Sequence, residues 1–306
     1  MKHKSTIWDF IFLPRPILLI PVWTFLLLGY YRAGGERFSI GNDFLIVFLT
    51  YTLLVASVYV LNQIMDIKSD VINKKHLLLA EGFISVKNAY IEFAVLIAVA
   101  LVLTARLPKH YIIFFLISFL FGIIYSVPPF KFKDRPISDF VINALGYGFL
   151  NFSIGWLTQR PLSIQTILYS LPYIFAVGAI FINTTILDIE GDKRSNAITT
   201  SIFLGMDNAL RLSTTLIVLC IAVSILVKDR VCLIASLVAL PLFMLALLKK
   251  DVKYVLLSIR IGGPLLVLIV GLIFPYFLPL ILLIFLFLRI YYKANFSIAY
   301  PGLSIN

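Results

Sequence analysis

Long apolar runs separated by short polar segments make up most of the chain. A membrane span needs about 20 mostly apolar residues. By that criterion spans are expected over 17–31, 43–63, 88–107, 111–129, 137–158, 164–187, 207–227 and 231–248. The stretch 254–292 reads as one long span or as a tight hairpin, because Gly262-Gly263-Pro264, Pro275 and Pro279 all permit breaks. Pro14-Arg15-Pro16 sets an irregular entry to the first span. The longer segments between spans, 66–87, 131–137 and 188–207, each follow an even-numbered span, as a repeated helical unit would give. No soluble domain or low-complexity linker interrupts this pattern, so residues 1–306 read as a single transmembrane domain.

Composition makes the membrane reading firm. The chain is 61% hydrophobic and 13% charged, against about 25% charged residues in soluble domains. A net charge of +11 would suggest nucleic acid in a soluble protein. Here the basic residues lie between apolar spans, which points to membrane lipids as partners and to no nucleic acid. With a cytoplasmic N-terminus, seventeen of the 26 lysines and arginines fall on the cytoplasmic side and seven on the other, a positive-inside bias. The first apolar run lacks a cleavage site and is not read as a removable signal peptide. Cys220 and Cys232 lie in or beside apolar runs and read as buried thiols, and the three histidines show no metal-ligand spacing.

Two polar stretches stand out. Leu61-Asn62-Gln63-Ile64-Met65-Asp66-Ile67-Lys68-Ser69-Asp70 closes the second apolar run. A partial copy, Thr184-Thr185-Ile186-Leu187-Asp188-Ile189-Glu190-Gly191-Asp192, closes the sixth. Both contain Ile-x-Asp-Ile-x-x-Asp. Carboxylates four apart on a helix share one face, with Cβ atoms about 5–6 Å apart. Asn62 lies about one turn before Asp66, and Asn183 and Thr184 about one turn before Asp188. A single polar cluster would only mark a helix leaving the bilayer; its repetition at a matching span end argues for function. Closely spaced carboxylates hold Mg²⁺ on phosphorylated substrates, because that hard cation takes oxygen ligands and keeps several waters. Since like charges at this spacing repel mildly, exchanging one aspartate for asparagine is expected to leave the fold intact or slightly more stable.

The third segment, Tyr125-Ser126-Val127-Pro128-Pro129-Phe130-Lys131-Phe132-Lys133, follows the fourth span. Pro128 and Pro129 end the helix and are expected to aim both lysines along a short extended piece. Lysines there anchor lipid headgroups or act as point charges for a substrate phosphate.

Together these segments resemble the motifs of the UbiA superfamily of intramembrane prenyltransferases. The pattern N-[DQ]-x-x-D-x-x-x-D is matched by Asn62, Gln63, Asp66 and Asp70. D-x-E-G-D is matched by Asp188, Glu190, Gly191 and Asp192, and Y-[ST]-x-P-P-x-[RK]-x-K by Tyr125, Ser126, Pro128, Pro129, Lys131 and Lys133. The resemblance implies an all-α polytopic fold, with about nine transmembrane helices around a central cavity, a cytoplasmic cap and an external C-terminus. Departures are confined to other positions. Where many members carry N-[KR]-P-x-R-P-L-x-S-G, this chain has Asn73-Lys74-Lys75-His76-Leu77-Leu78-Leu79-Ala80-Glu81-Gly82. Leucine in place of that arginine is similar to the homogentisate-type branch, and Thr185 and Asn196 replace a frequent aspartate and glycine.

The same resemblance implies a Mg²⁺-dependent enzyme with its active site facing the cytoplasm. It would transfer a prenyl group from a polyprenyl diphosphate to a hydrophobic or aromatic acceptor, a quinone precursor or an ether-lipid precursor. Asp66, Asp70, Asp188 and Asp192 would hold two Mg²⁺ ions bridging the diphosphate. Lys131 or Lys133, with Asn62 and Asn183, would meet its oxygens. Tyr125 would steady the allylic cation through its ring face. A cation-coupled transporter is the alternative, since repeats and intramembrane carboxylates suit that class too, but it requires carboxylates near the bilayer midplane.

Overall fold

The computed structural model describes residues 5–35, 40–72, 77–297 and 300, and all regular structure among them is helical. A short helix α1 (Ile7–Phe12) precedes α2 (Pro16–Arg32), α3 (Asn42–Ile72), α4 (Val86–Thr104) and α5 (Lys109–Ser126). A 3₁₀ turn (Phe132–Asp134) leads to α6 (Ser138–Asn143), which continues through a π-helical segment (Ala144–Asn151) into α7 (Phe152–Leu157). Then come α8 (Ile164–Leu187), α9 (Ile189–Arg194), α10 (Thr200–Leu226), α11 (Arg230–Lys249), α12 (Val252–Ile273) and α13 (Phe277–Phe296).

Nine helices among the described residues are long and apolar enough to cross a membrane. That is the expected number, but its membership differs. The stretch 254–292 contributes two of them, the hairpin α12–α13. Its break falls at Phe274-Pro275-Tyr276, whereas α12 continues through Gly262-Gly263-Pro264. Pro279 sits in the first turn of α13, where a missing N–H loses no helical bond. Helix α2, with 17 residues, is shorter than the nine. Its length of about 25 Å is at the low end of what crosses a hydrocarbon core.

Counting α2, ten apolar helices return the end of α13 to the side of α1, and contacts there agree. The Tyr291 hydroxyl donates to the Asp9 carboxylate, and the Tyr291 ring lies 4.2 Å from that of Phe12. Leu288, Tyr291 and Tyr292 share a buried cluster with Leu13, Ile64 and Leu78. The resemblance implies a chain that ends on the far side, but α13 ends beside the acidic end of α3. Lys293 and Lys193 are both exposed there. Lys293→Cys should react with a membrane-impermeant thiol reagent from the same side as Lys193→Cys. Labelling from the side of Lys109→Cys would overturn the ten-pass arrangement.

Glycines set the closest approaches. A Cβ on Gly29 of α2 would lie 1.8 Å from the Phe152 carbonyl oxygen, and one on Gly155 of α7 would lie 1.9 Å from that of Leu26. The two backbones touch, as small residues permit in helix pairs without a hydrophobic driving force. At the acidic end, the buried Asp139 carboxylate accepts from the Thr200 N–H at 2.7 Å and pairs with the Thr200 hydroxyl. The Ile198 N–H donates to the Asp134 carbonyl at 3.0 Å. These bonds lock the segment before α6 to the segment before α10. Cys220 and Cys232 are free and buried, as expected.

Candidate active site

Helix α3 is longer than the span expected at 43–63 and carries the first acidic motif inside it. Asp66 is 24 residues from the start of α3, about 36 Å by helical rise, which exceeds the roughly 30 Å hydrocarbon core. Its carboxylate therefore sits toward the end of a crossing helix. Asp188 likewise ends α8. Neither position is the midplane site a transporter requires.

Asn62, Asp66 and Asp70 line one face of a cavity of about 1330 Å³ bounded by α2, α3, α5, the π-helical segment, α8, α12 and α13. Its wall is mostly apolar, including Phe25, Leu54, Val58, Phe121, Leu150, Val177 and Ile180. Its charged lining residues are Arg15, Asp66, Asp70, Lys133 and Arg260, which come from the start of α2, the end of α3, the turn after α5 and the first half of α12. Charge is thus gathered toward one end of a greasy chamber.

At that end Lys133 forms an ion pair with Asp66, the side chains being 12% and 16% exposed. The Asn62 amide donates to Ser126 Oγ at 2.8 Å. Gln63, on the next face of α3, donates instead to the Leu13 carbonyl and steadies the turn that carries Arg15. Arg15 adopts a left-handed backbone (φ 54°), uncommon outside glycine, and its Nε is buried without a hydrogen-bond partner. A guanidinium held in this way is prepared for an anion.

The segment after α5 does not run extended. It turns at a cis Pro128–Pro129 bond, Lys131 is left-handed (φ 40°), and the chain enters a 3₁₀ turn. The turn parts the two lysines. Lys133 points back to the cavity, while Lys131 pairs with Asp134 at 2.5 Å and does not line it. Tyr125 and Ser126 line the wall.

The second motif is arranged differently from the first. α8 stops at Asp188 (φ −94°, ψ 2°), and α9 begins at the next residue. The Asp192 N–H still donates to the Asp188 carbonyl at 2.8 Å, so the two aspartates remain one turn apart. They lie just beyond Thr184, which lines the cavity, but are not themselves part of its wall. Asn183 is corrected outright: it is buried against α12, its amide donating to Ser258 Oγ at 2.8 Å, and the cavity position belongs to Thr184. Thr185 is buried and bonded to Ser201 at 2.6 Å. Of the departing stretch, Asn73–His76 lies outside the described residues, while Leu77, Leu78 and Leu79 are buried.

Arg15 and Arg260 line the cavity, although charge and hydropathy along the chain do not single them out for it, and the same holds for the inward-facing hydroxyls. Tyr59 and Tyr147 pair their hydroxyls at 2.6 Å, and Tyr51 Oη is 2.6 Å from Asn151 Oδ1 and 3.1 Å from Ser118 Oγ. The π-helical segment, a feature frequent at functional sites, supplies Tyr147 and Asn151. Two signals were present: an arginine flanked by prolines, and tyrosines eight apart on α3 ahead of Asn62.

Among the described residues, no three acidic, histidine or cysteine side chains converge closely enough to hold a metal by themselves. The donors nevertheless suit Mg²⁺. Asp66 and Asp70 offer hard oxygens to a cavity with room for phosphate, and this ion commonly takes one or two carboxylates and completes its shell with substrate phosphates and water.

Comparison with known proteins agrees with this architecture. The profile of the UbiA prenyltransferase family matches residues 21–254, and the chain belongs to that family. It is 36% identical over 169 residues to the probable homogentisate phytyltransferase 2, chloroplastic, of Oryza sativa subsp. japonica, covering 52% of this chain and 44% of the relative. The bacteriochlorophyll synthase 34 kDa chain of Chloroflexus aurantiacus is 26% identical over 199 residues, 62% of this chain and 64% of its own. This chain thus matches less than two thirds of the length of these relatives. A UbiA homolog from Archaeoglobus fulgidus bound to GPP and Mg²⁺ shares the fold with a TM-score of 0.68 at 19% identity, over 87% of this chain and 99% of that one.

Proposed function

We propose that the chain transfers a prenyl group from a prenyl diphosphate to an aromatic acceptor, with the charged end of the cavity facing the cytoplasm. The observation that carries this is the chamber itself: mostly apolar along its length, with its polar pairs satisfied by one another, and charged toward one end, it fits an amphiphile with an anionic head and a hydrocarbon tail. Asp66 and Asp70, with Asp188 and Asp192 from just beyond Thr184, would hold two Mg²⁺ ions. When bound, the metal supplies Lewis-acid stabilisation of the diphosphate. Lys133 and Arg15 bind the diphosphate oxygens, and Asn62, braced by Ser126, orients them. The carbon–oxygen bond to the allylic carbon breaks, diphosphate departs, the acceptor carbon bonds to the allylic carbon, and the acceptor loses a proton. Tyr125 lends its ring face to the allylic cation, and the apolar wall keeps water from quenching it.

An aromatic acceptor is favoured by the names of the relatives, which include homogentisate and 2-acylphloroglucinol prenyltransferases, and by leucine at position 77. The cytoplasmic orientation rests on the positive-inside bias, which Arg289 and Lys293 join once α13 ends on the acidic side. The test incubates purified protein with labelled prenyl diphosphates, Mg²⁺ and a panel of phenolic and glyceryl phosphate acceptors. Prenylated phenol should form only with the divalent ion. Lys133→Met should weaken donor binding about tenfold or more, the effect of roughly one charge-assisted bond, and Lys131→Met much less. Equal binding with and without the metal would sink this reading.

A further inference from the structure

Three polar rungs line the cavity wall at increasing distance along α3 from the acidic end: Asn62 to Ser126, Tyr59 to Tyr147, and Tyr51 to Ser118 and Asn151. The last has the character of a floor. Tyr51 is 2% exposed and Asn151 4%. The hydroxyl of Tyr51 is held by two partners from α5 and the π-helical segment. Behind its ring stands Phe115, 5.3 Å away, and behind Phe115 stands Tyr111, 6.2 Å further. A ring pinned at its hydroxyl and backed by two more rings does not swing aside for a hydrocarbon tail. A tail end pressed on this rung would also meet amide and hydroxyl groups already satisfied by one another, and separating them leaves buried polar groups unpaired.

Resting on the prenyl-donor reading, we propose that the Tyr51–Ser118–Asn151 cluster is the length stop of the donor tail and selects donors of up to about four isoprene units. Fifteen residues of α3 separate Tyr51 from Asp66, about 22 Å by helical rise. Three extended backbone bonds span about 3.5 Å in a polypeptide. An isoprene unit, with four bonds along the chain, therefore spans about 4.7 Å on the same measure. Once the diphosphate occupies the acidic end, about four units, a geranylgeranyl tail, reach the floor. A solanesyl tail is more than twice that length. Val55, one turn above Tyr51 on α3, also lines the cavity, so a larger side chain there raises the floor into open space.

The experiment measures Mg²⁺-dependent stabilisation and transfer for geranyl, geranylgeranyl and solanesyl diphosphates. Wild type should use geranylgeranyl diphosphate at least tenfold better than solanesyl diphosphate. Val55→Phe should shift the preference to geranyl diphosphate, and Tyr51→Ala should admit solanesyl diphosphate. Equal use of all three donors by wild type would overturn the length stop and mean that the tail leaves sideways past Leu282 and Phe285 of α13. An unchanged length profile in both folded variants would overturn it too. Absence of any Mg²⁺-dependent response to every donor would instead bring down the prenyl-donor reading on which it rests.

Discussion

Asp66→Asn should abolish prenyl transfer, by roughly 10³-fold or more, and Asp188→Asn should do the same although the two residues are 122 positions apart. Groups that hold one metal–diphosphate unit fail together, so the double variant should be little worse than either single one. The structure also changes what Asp66→Asn does to stability. Sequence spacing suggested relief of repulsion within the acidic pair. Asp66 is instead paired with Lys133, and both are mostly buried. Losing one partner strands the other charge, at a cost of up to about 3–5 kcal/mol in a fully buried pair and less at this exposure. Lys133→Met in the Asp66→Asn background should therefore restore thermal stability without restoring activity. Full activity in either single variant, or strictly multiplicative losses in the double, would rule out a shared metal–diphosphate site.

Gly155→Val should prevent the protein from accumulating in a folded state. A Cβ at this position meets the Leu26 carbonyl oxygen at 1.9 Å and the Leu26 carbonyl carbon at 2.8 Å. Those are backbone atoms of α2, so no rotamer change relieves the clash and the two helices must separate. Overpacking of a core by side chains costs about 1–3 kcal/mol, and a backbone collision should exceed that range. It would also move α2, and with it Arg15 and the cavity wall. Gly263→Ala is the control, because nothing lies within 4 Å of a Cβ there and helix propensity favours alanine by up to about 1 kcal/mol. Comparable melting of the two variants in detergent would show that the α2–α7 contact does not limit stability.

Much of this architecture was legible in the sequence, and the reasons it was are physical. Apolar runs report a hydrocarbon environment directly, so the spans up to 231–248 emerged near their observed places. Asp66 and Asp70 share a face because spacing on an unbroken helix fixes it. At the second motif the spacing also keeps Asp188 and Asp192 one turn apart and turns Thr184 to the cavity, whereas Asn183, five residues before Asp188, faces Ser258. Spacing could not foresee the parting of Lys131 and Lys133, since left-handed backbone at a lysine is set by the turn around it. Nor does periodicity announce a π-helical segment, whose extra residue per turn re-aims Tyr147 and Asn151. The tyrosine rungs were hidden for a related reason: on an apolar helix a tyrosine counts as hydrophobic until its hydroxyl finds a partner.

The bond between Asp9 and Tyr291 joins residues 282 positions apart and has a consequence for assembly. Synthesis delivers α1 well before its clasp, so every helix between them enters the membrane before the Pro14-Arg15-Pro16 turn has its full support. The pocket's head end is thus finished by α13, as a hoop is closed by its rivet. A chain halted before α13 would carry every acidic motif residue and the Gln63 bond to Leu13, yet present Arg15 on a turn that lacks its second brace, the Asp9–Tyr291 clasp.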